Sequence, residues 1–342
     1  MSENKKMSKL ASILRRIPAV FLAAAIAVVF GFPVYARTAS ATKIKQEKSA
    51  SASKTNQMEF ASPRQAFAAL VNAAAGNDTK ELLAIFGPDG KDLISSGDPV
   101  ADTAARARFA MAAGKGVRFK KLDKGTFSFL ALIGKDEWTF PIPIIKKGKS
   151  WIFLTGEGKQ EIINRRIGRN ELNTVRTSLA YVEAQREYSK EEFAKNGVPQ
   201  YAQSFISHQG SRDGLYWPGK GDSPLGPLFA RAACETNAPR QDMVKPVPYY
   251  GYYFNILKSQ GRHAPGGSMD YVVGGRMTAG FGLVAYPAKY GASGVMTFMV
   301  NQQGAVYEKD LGPRTQELAK KITAYDPDGT WKRVDLTEAS LP

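Results

Sequence analysis

The chain has 342 residues, of which 43% are hydrophobic and 11% aromatic, so it can bury sizeable cores in about two domains, which excludes a wholly disordered protein. Its formal net charge of +16 would suit a nucleic-acid-binding protein, but residues 1–36 and 37–57 each carry a net charge of +4. The remaining chain, at about +8, has no block of five like charges, so we expect no nucleic-acid partner.

The first 36 residues have the pattern of a secretory signal peptide. Five basic residues precede the apolar run AVFLAAAIAVVFGF, and the segment ends at VYA, with small side chains at the positions of a cleavage site. The run is shorter than the ~20 apolar residues of a membrane span. We therefore expect cleavage after Ala36, a periplasmic or secreted protein, and no integral membrane segment afterwards; an uncleaved anchor is the alternative.

The segment after the predicted signal peptide has the composition of a flexible linker. Residues 37–57 are basic and rich in Ser, Ala and Thr, which is typical of a flexible tether attracted to an anionic surface polymer.

Cys234 is the single cysteine, which excludes an internal disulfide. His208 and His263 are the only histidines and have no paired ligand spacing, so we expect no metal and no cofactor.

Residues 58–157 predict an N-terminal α+β domain. Ser62 before Pro63 is typical of a helix N-cap, and Asp78 with Glu81 has the spacing of a capping box. DPVADTAARARFAMAAG predicts a third helix, and the runs VRFKKL, TFSFLALIG, EWTFPIPII and SWIFLT predict an antiparallel meander. Helices followed by a curled four-stranded sheet resemble the nuclear-transport-factor-two-like cone fold.

Residues 158–335 predict a C-terminal domain in which a long helix packs on a mainly antiparallel sheet. The helical pattern extends from about 158 to 194 and is interrupted near Gly168. Strands are predicted by YYGYYFNIL, RMTAGFGLVAYP, GVMTFMVN and AVYEKD, and a last helix by PRTQELAKKITAY. The apolar seam of the long helix, which we expect to face the sheet, consists of Leu172, Val175, Leu179 and Val182.

Three arginines crowd the segment NRRIGRNE at the junction of the two predicted domains. Arg165, Arg166 and Arg169 are candidates for binding an anionic ligand. Glu161 precedes Arg165 by four residues and Glu171 follows the glycine, so local ion pairs can also satisfy these charges. The sequence therefore favours a polar domain junction and keeps an anion site as the alternative.

The long loop YAQSFISHQGSRDGLYWPGKGDSPLGPL supplies the other candidate ligand contacts. Asp213, Tyr216 and Trp217 could reach a bound molecule from this loop. Aromatic side chains in a loop rich in glycine and proline more often pin the loop to its own core. The sequence leaves both interpretations open.

Longer motifs resemble one bacterial family. FASPRQAFAALVNAA, FGPDGKDLISSGDPVAD, FPIPIIKKGKSWIF, EIINRRIGRNEL, RDGLYWP and GFGLVAYPAKYGASGVMTFMVNQQGAVYEKDLGP resemble the secreted family known as domain of unknown function 2950, from about residue 59 to 332. That resemblance implies no catalytic residues. Within it, NELNTVRTSLAYVEAQREY with the strands that follow is similar to the head domain of type II pseudopilins, although here the helix is internal and polar at its start.

Two classes of function follow from these patterns. The first is a non-catalytic envelope module that binds a protein partner, an anionic surface polymer or a small ligand. The second is a periplasmic hydrolase that uses Asp or Glu together with the loop aromatics. The chain has no nucleophile elbow, no paired histidines and no P-loop, which favours the binding module.

Overall fold

The computed structural model describes residues 57–122, 127–217, 223–230 and 246–336. The predicted signal peptide, residues 37–56 of the predicted tether and Cys234 lie outside these residues. The described chain forms helices and antiparallel sheets, which confirms the predicted α+β class. Among the described residues, no helix is both long enough and apolar enough to cross a bilayer.

Helices precede the sheet of the N-terminal unit, as predicted. The Ser62 hydroxyl accepts a hydrogen bond from the Gln65 N–H at 3.1 Å, and the Asp78 carboxylate accepts one from the Glu81 N–H at 2.9 Å. Both predicted N-caps are therefore confirmed. The helices are α1 (Pro63–Ala75), α2 (Thr79–Phe86), α3 (Lys91–Ile94) and α4 (Pro99–Gly114), with a 3₁₀ turn at Pro88–Gly90 between α2 and α3.

Four antiparallel strands follow in the spatial order of the sequence, which confirms the predicted meander. They are β1 (Val117–Lys121), β2 (Ser128–Ile133), β3 (Trp138–Lys147) and β4 (Ser150–Phe153). Alternate residues of β3 point into the core, where Ile142 and Ile144 are buried. They share this core with Phe67 of α1 and Ile85 of α2.

A single helix of 38 residues, α5 (Lys159–Asn196), connects the two units. It runs through Gly168 without a break, so the predicted interruption is wrong. A glycine inside a helix costs about 1 kcal/mol relative to alanine, and packing on both sides of Gly168 outweighs that cost. Ile162 packs against the N-terminal core, and Val175 is buried in the C-terminal core.

The C-terminal unit is built on an antiparallel sheet and two small hairpins. Its strands are β5 (Tyr252–Leu257), β6 (Ser259–Gln260), β7 (Met269–Asp270), β8 (Val272–Val273), β9 (Arg276–Met277), β10 (Gly282–Pro287), β11 (Met296–Asn301), β12 (Val306–Asp310) and β13 (Lys332–Arg333). The sheet has five strands in the order β13-β12-β11-β10-β5, and the hairpins β6–β7 and β8–β9 follow β5 along the chain.

Two short helices complete this unit, α6 (Pro227–Ala230) and α7 (Thr315–Ala319). The last helix is shorter than predicted. The N–H groups of Lys321 and Ile322 bond to carbonyls three residues earlier, so the α-helical pattern has already ended there. The chain then turns and places Tyr325, which is fully buried, against the sheet.

The predicted seam of α5 faces the sheet. Val175 and Val182 are buried in one core with Phe298 of β11, and Leu172 and Leu179 pack against that core. This prediction is confirmed.

The loop around α3 connects the two units. The Asp98 carboxylate accepts a hydrogen bond from the Gly251 N–H at 2.8 Å, and Lys289 forms an ion pair of 2.7 Å with Asp92. From α5, the Asn170 side chain donates to the Ser293 carbonyl at 2.9 Å. Residues 91–98 therefore belong to the N-terminal unit and also contact the C-terminal unit.

Candidate functional site

The N-terminal unit contains a cavity of about 340 Å³, which we name the arginine pocket. It lies between α1, α2, α4, β3 and the first turns of α5. Its interior is apolar, because long aliphatic and aromatic side chains from all these elements converge there. The apolar lining includes Leu70, Leu82, Phe86, Phe109, Phe140 and Ile162.

Four arginines lie on the wall of the arginine pocket: Arg106 from α4 and Arg165, Arg166 and Arg169 from α5. On α5, Arg169 lies four residues after Arg165 and three after Arg166, so its side chain neighbours both of theirs on the helix surface. Arg165 and Arg169 are exposed, whereas the apolar interior is buried or half-buried, so these two arginines lie at the mouth of the cavity. The structure thus brings all three arginines of the NRRIGRNE segment to one cavity.

The partners of these arginines leave much of their positive charge uncompensated. Arg165 forms an ion pair of 2.6 Å with Glu161 and lies 5.6 Å above the ring of Trp138. Arg166 donates to the carbonyl oxygens of Asp92, at 2.8 Å, and of Leu93. These acceptors are neutral carbonyl groups, so they satisfy the donors of Arg166 without cancelling its charge.

Arg169 has no hydrogen-bond or ion-pair partner among the described residues. Loss of hydration lowers its pKa, and the neighbouring charges of Arg108 and Arg166 lower it further. Burial likewise lowers the pKa of Arg166. The negative charges of Asp102 and Asp92 oppose the shift of Arg166, so positive charge is crowded chiefly at Arg169, where an anion would relieve it.

One carboxylate lines the arginine pocket, and its oxygens are already engaged. Asp102 is buried and accepts hydrogen bonds from the Ser96 N–H at 2.9 Å and from the Ser96 hydroxyl at 2.7 Å. This arrangement makes Asp102 a brace for the loop before α4. The lining therefore carries four positive charges against one negative charge.

A second cavity, of about 610 Å³, lies in the C-terminal unit, and we name it the C-terminal cleft. It is bounded by the second half of α5, the loop that follows, the edge strand β5 and the chain just after α7. Unlike the arginine pocket, it is lined by many polar groups. Those with ionisable or hydroxyl groups include Tyr188, Ser204, His208, Asp213, Lys258 and Lys320.

A histidine–aspartate pair lies on the wall of this cleft. His208 Nδ1 is 2.5 Å from Asp213 Oδ2, and the other oxygen of Asp213 accepts from the His208 N–H and the Ser211 hydroxyl, both at 2.9 Å. Burial alone would raise the pKa of Asp213, but these hydrogen bonds together lower it. An ionised carboxylate can only accept, so Nδ1 of His208 carries a proton and Nε2 is left for another partner.

The family of the chain follows from its sequence match. A family model described as protein of unknown function (DUF2950) matches residues 57–334, which include both cavities. The chain belongs to the DUF2950 family. No curated protein and no solved structure matches this DUF2950 chain.

The candidate ligand residues of the DUF2950 chain are divided between two places. The arginines line the arginine pocket and Asp213 lines the C-terminal cleft, whereas Tyr216 and Trp217 line neither cavity. Trp217 is buried, and the guanidinium of Arg212 lies 5.1 Å from its ring. The Tyr216 backbone pairs with that of Phe205.

Two residues that line the cavities, His208 and Arg106, were not predicted as ligand contacts from the sequence. His208 has no paired ligand spacing in the sequence, and its partner Asp213 lies five residues later in the same loop. Arg106 comes from α4, 59 residues before Arg165, so only the packing of α4 near α5 brings the two together. The crowding of arginines in α5 was the one signal that pointed to the pocket.

Proposed function

We propose that this DUF2950 protein is an exported bacterial envelope protein that binds a small amphiphilic anion in the arginine pocket and acts as a binding module. The proposal depends on one observation: the pocket combines an apolar interior with four guanidinium groups, one of which lacks a partner among the described residues. Such a cavity suits a molecule with an apolar body and a carboxylate or phosphate head.

The size and chemistry of the pocket support this ligand class. Its volume of about 340 Å³ falls at the lower end of the roughly 300–1,000 Å³ typical of small-molecule sites. Guanidinium groups bind carboxylate and phosphate oxygens in a bidentate manner, and a planar group crowded by its neighbours gains most from such a partner. The apolar interior would bury the rest of the ligand at about 25 cal/mol for each Å² removed from water.

The N-terminal segments support the cellular setting of the proposal. The signal-peptide pattern of residues 1–36 favours export, and the basic composition of residues 37–57 favours attraction to an anionic polymer or membrane surface. In this arrangement the tether holds the folded part near the surface of the envelope. An envelope protein partner remains compatible with the same role.

Calorimetric titration of the mature protein with decanoate and with 1-decanol tests the proposal, because the two ligands share an apolar chain and differ in charge. We expect decanoate to bind at least tenfold more tightly. Arg169→Gln should weaken decanoate binding about tenfold to hundredfold, since a hydrogen bond between charged groups contributes about 1.5–3 kcal/mol. Ala105→Trp, which fills the cavity, should weaken the binding of both ligands.

Arg64→Gln is the matched control, because Arg64 is an exposed arginine of α1 that lies outside the pocket lining. It should leave both affinities unchanged. Equal binding of decanoate and 1-decanol, or equal losses in Arg64→Gln and Arg169→Gln, would contradict the proposal. Circular dichroism of each variant separates loss of binding from loss of folding.

A second candidate function, a periplasmic hydrolase, is favoured by the His208–Asp213 pair in the C-terminal cleft. The carboxylate orients the imidazole so that Nε2 can accept a proton from a water molecule, which is the arrangement of a general base. Hydrolysis of p-nitrophenyl esters or glycosides by the wild type, but not by His208→Gln, would support this function. No turnover above that of His208→Gln would exclude it for these substrates.

A further inference from the structure

Several polar side chains that line the C-terminal cleft have no hydrogen-bond partner among the described residues. Tyr188 is only 5% exposed, yet its hydroxyl has no hydrogen-bond partner among the described residues. The Ser204 hydroxyl also has none within the described ranges. Both residues line the cleft, so a bound ligand can take the place of water as the hydrogen-bond partner of these hydroxyls.

Charged groups at the cleft are available in the same way. Lys258 lies just after β5 and Lys320 just after α7, and both are exposed. Neither lysine has an ion-pair or hydrogen-bond partner in the part of the chain that the structure describes. Asp213 is the one carboxylate among the described lining residues and is already engaged by His208 and Ser211, so the two lysines favour an anion.

The hydroxyl of Tyr188 remains a donor at all physiological pH values. Burial raises the pKa of Tyr188 to about 12, and the negative charges of Glu192 and Asp213 contribute to the same shift. The donors of the cleft therefore include this phenol, the Ser204 hydroxyl and the two ammonium groups. A suitable ligand is rich in acceptor oxygens and carries negative charge.

The apolar parts of the lining narrow the class further. The ring of Tyr201 is held at 4.7 Å from Phe281, and Ile256 and Ile322 supply flat aliphatic surface between the polar groups. Sugar rings present alternating C–H faces and hydroxyl edges, which match a lining of rings, amides and hydroxyls. A fatty acid would leave most of these polar groups without partners.

We propose that the C-terminal cleft binds an acidic saccharide, with Lys258 and Lys320 on its acidic groups and Tyr188 donating to a sugar oxygen. The volume of about 610 Å³ is in the range typical of small-molecule sites and leaves room for more than one sugar ring. This cleft is separate from the arginine pocket, so the saccharide proposal and the amphiphile proposal can be tested independently.

Methyl NMR of the mature protein labelled at isoleucine tests the proposal, with trigalacturonic acid as the probe and galactotriose as its neutral counterpart. Trigalacturonic acid should shift the methyl resonances of Ile256 and Ile322 and leave that of Ile162, which lines the arginine pocket, in place. Its affinity should fall as salt is raised, because the lysines are exposed.

Variants assign the roles of the individual groups. Lys258→Gln combined with Lys320→Gln should weaken trigalacturonic acid binding about tenfold and leave galactotriose binding unchanged. Tyr188→Phe should weaken both about threefold to tenfold and keep the melting temperature, because the hydroxyl has no partner in the described structure. Lys321→Gln is the matched control, since Lys321 pairs with Glu317 at 2.7 Å and lies outside the lining.

The contrary results are equally defined. Absence of shifts at Ile256 and Ile322 up to millimolar trigalacturonic acid would overturn the proposal. Equal binding of the acidic and neutral trisaccharides would do the same, as would equal losses in Lys320→Gln and Lys321→Gln. Decanoate binding to the arginine pocket is measured on the same sample and is unaffected by any of these outcomes.

Discussion

Removing α5 from the C-terminal unit should prevent that unit from folding. Val175, Tyr181, Val182 and Tyr188 are each at most 5% exposed in the core that α5 shares with the sheet. At about 1.5–3 kcal/mol for each buried side chain, the four contribute about 6–12 kcal/mol. That value is an upper estimate, because an unfolded chain already buries part of this surface, yet it is comparable to the 5–15 kcal/mol stability of an ordinary domain.

A fragment of residues 168–336 keeps these side chains and loses only weaker contacts with the N-terminal unit. The buried Gly251 N–H would lose its acceptor, Asp98, at a cost of about 1–3 kcal/mol. Lys289 would lose its half-exposed ion pair with Asp92, which contributes about 0–1 kcal/mol. Because the two losses are smaller than the contribution of the helix, we expect this fragment to fold.

Circular dichroism melts and amide-proton NMR spectra of fragments 168–336 and 197–336 measure the difference. The longer fragment should give dispersed amide resonances and a cooperative melt, and the shorter one should give neither. A cooperative melt of fragment 197–336 would refute the reasoning. It would show that the sheet does not need α5, and that the helix belongs energetically to the N-terminal unit.

Three further predictions concern single positions. Gly158→Ala should lower the free energy of unfolding by about 2 kcal/mol or more, as measured by urea titration. Gly158 has a φ of +79°, and an added Cβ would lie 2.1 Å from the Pro141 carbonyl oxygen. An unchanged urea midpoint would contradict this prediction. Burial, and then the charge of Asp102, raise the pKa of Asp98. The contribution of Asp98 to the free energy of unfolding should therefore fall as pH rises from about 4 through the raised pKa. Asp98→Asn should remove this pH dependence, and parallel plots of unfolding free energy against pH for the two proteins would argue against it. Mass spectrometry of the periplasmic fraction of an expressing Gram-negative bacterium should find an N-terminus at Arg37, whereas an intact Met1 would disprove export by cleavage.

Features that depend on nearby residues could be predicted from the sequence. The caps at Ser62 and Asp78 act over three residues, and the strands follow from alternation and turn residues, so both are present as expected. Gly168 was misjudged because helix propensity is local, while the packing that keeps α5 intact comes from two separate cores.

The candidate sites depend on contacts between distant residues, which explains why they could be predicted only in part. Arg169 was a candidate from its position in a cluster, but its lack of an ion-pair partner depends on where α4 and α5 meet. Tyr188 was not predicted as a ligand contact, and it lines the C-terminal cleft because the loop beginning at residue 197 folds back beside the helix. The likeness to a pseudopilin head remains a prediction.

The unbroken course of α5 fixes the spacing of the two cavities. Arg169 and Tyr188 are 19 residues apart on this helix, which corresponds to about 28 Å along its axis at 1.5 Å per residue. No proline lies between them, and Val175, Val182 and Tyr188 hold this segment in the C-terminal core. With an amphiphilic anion in the arginine pocket and an acidic saccharide in the C-terminal cleft, the helix would hold the two ligands at a constant separation.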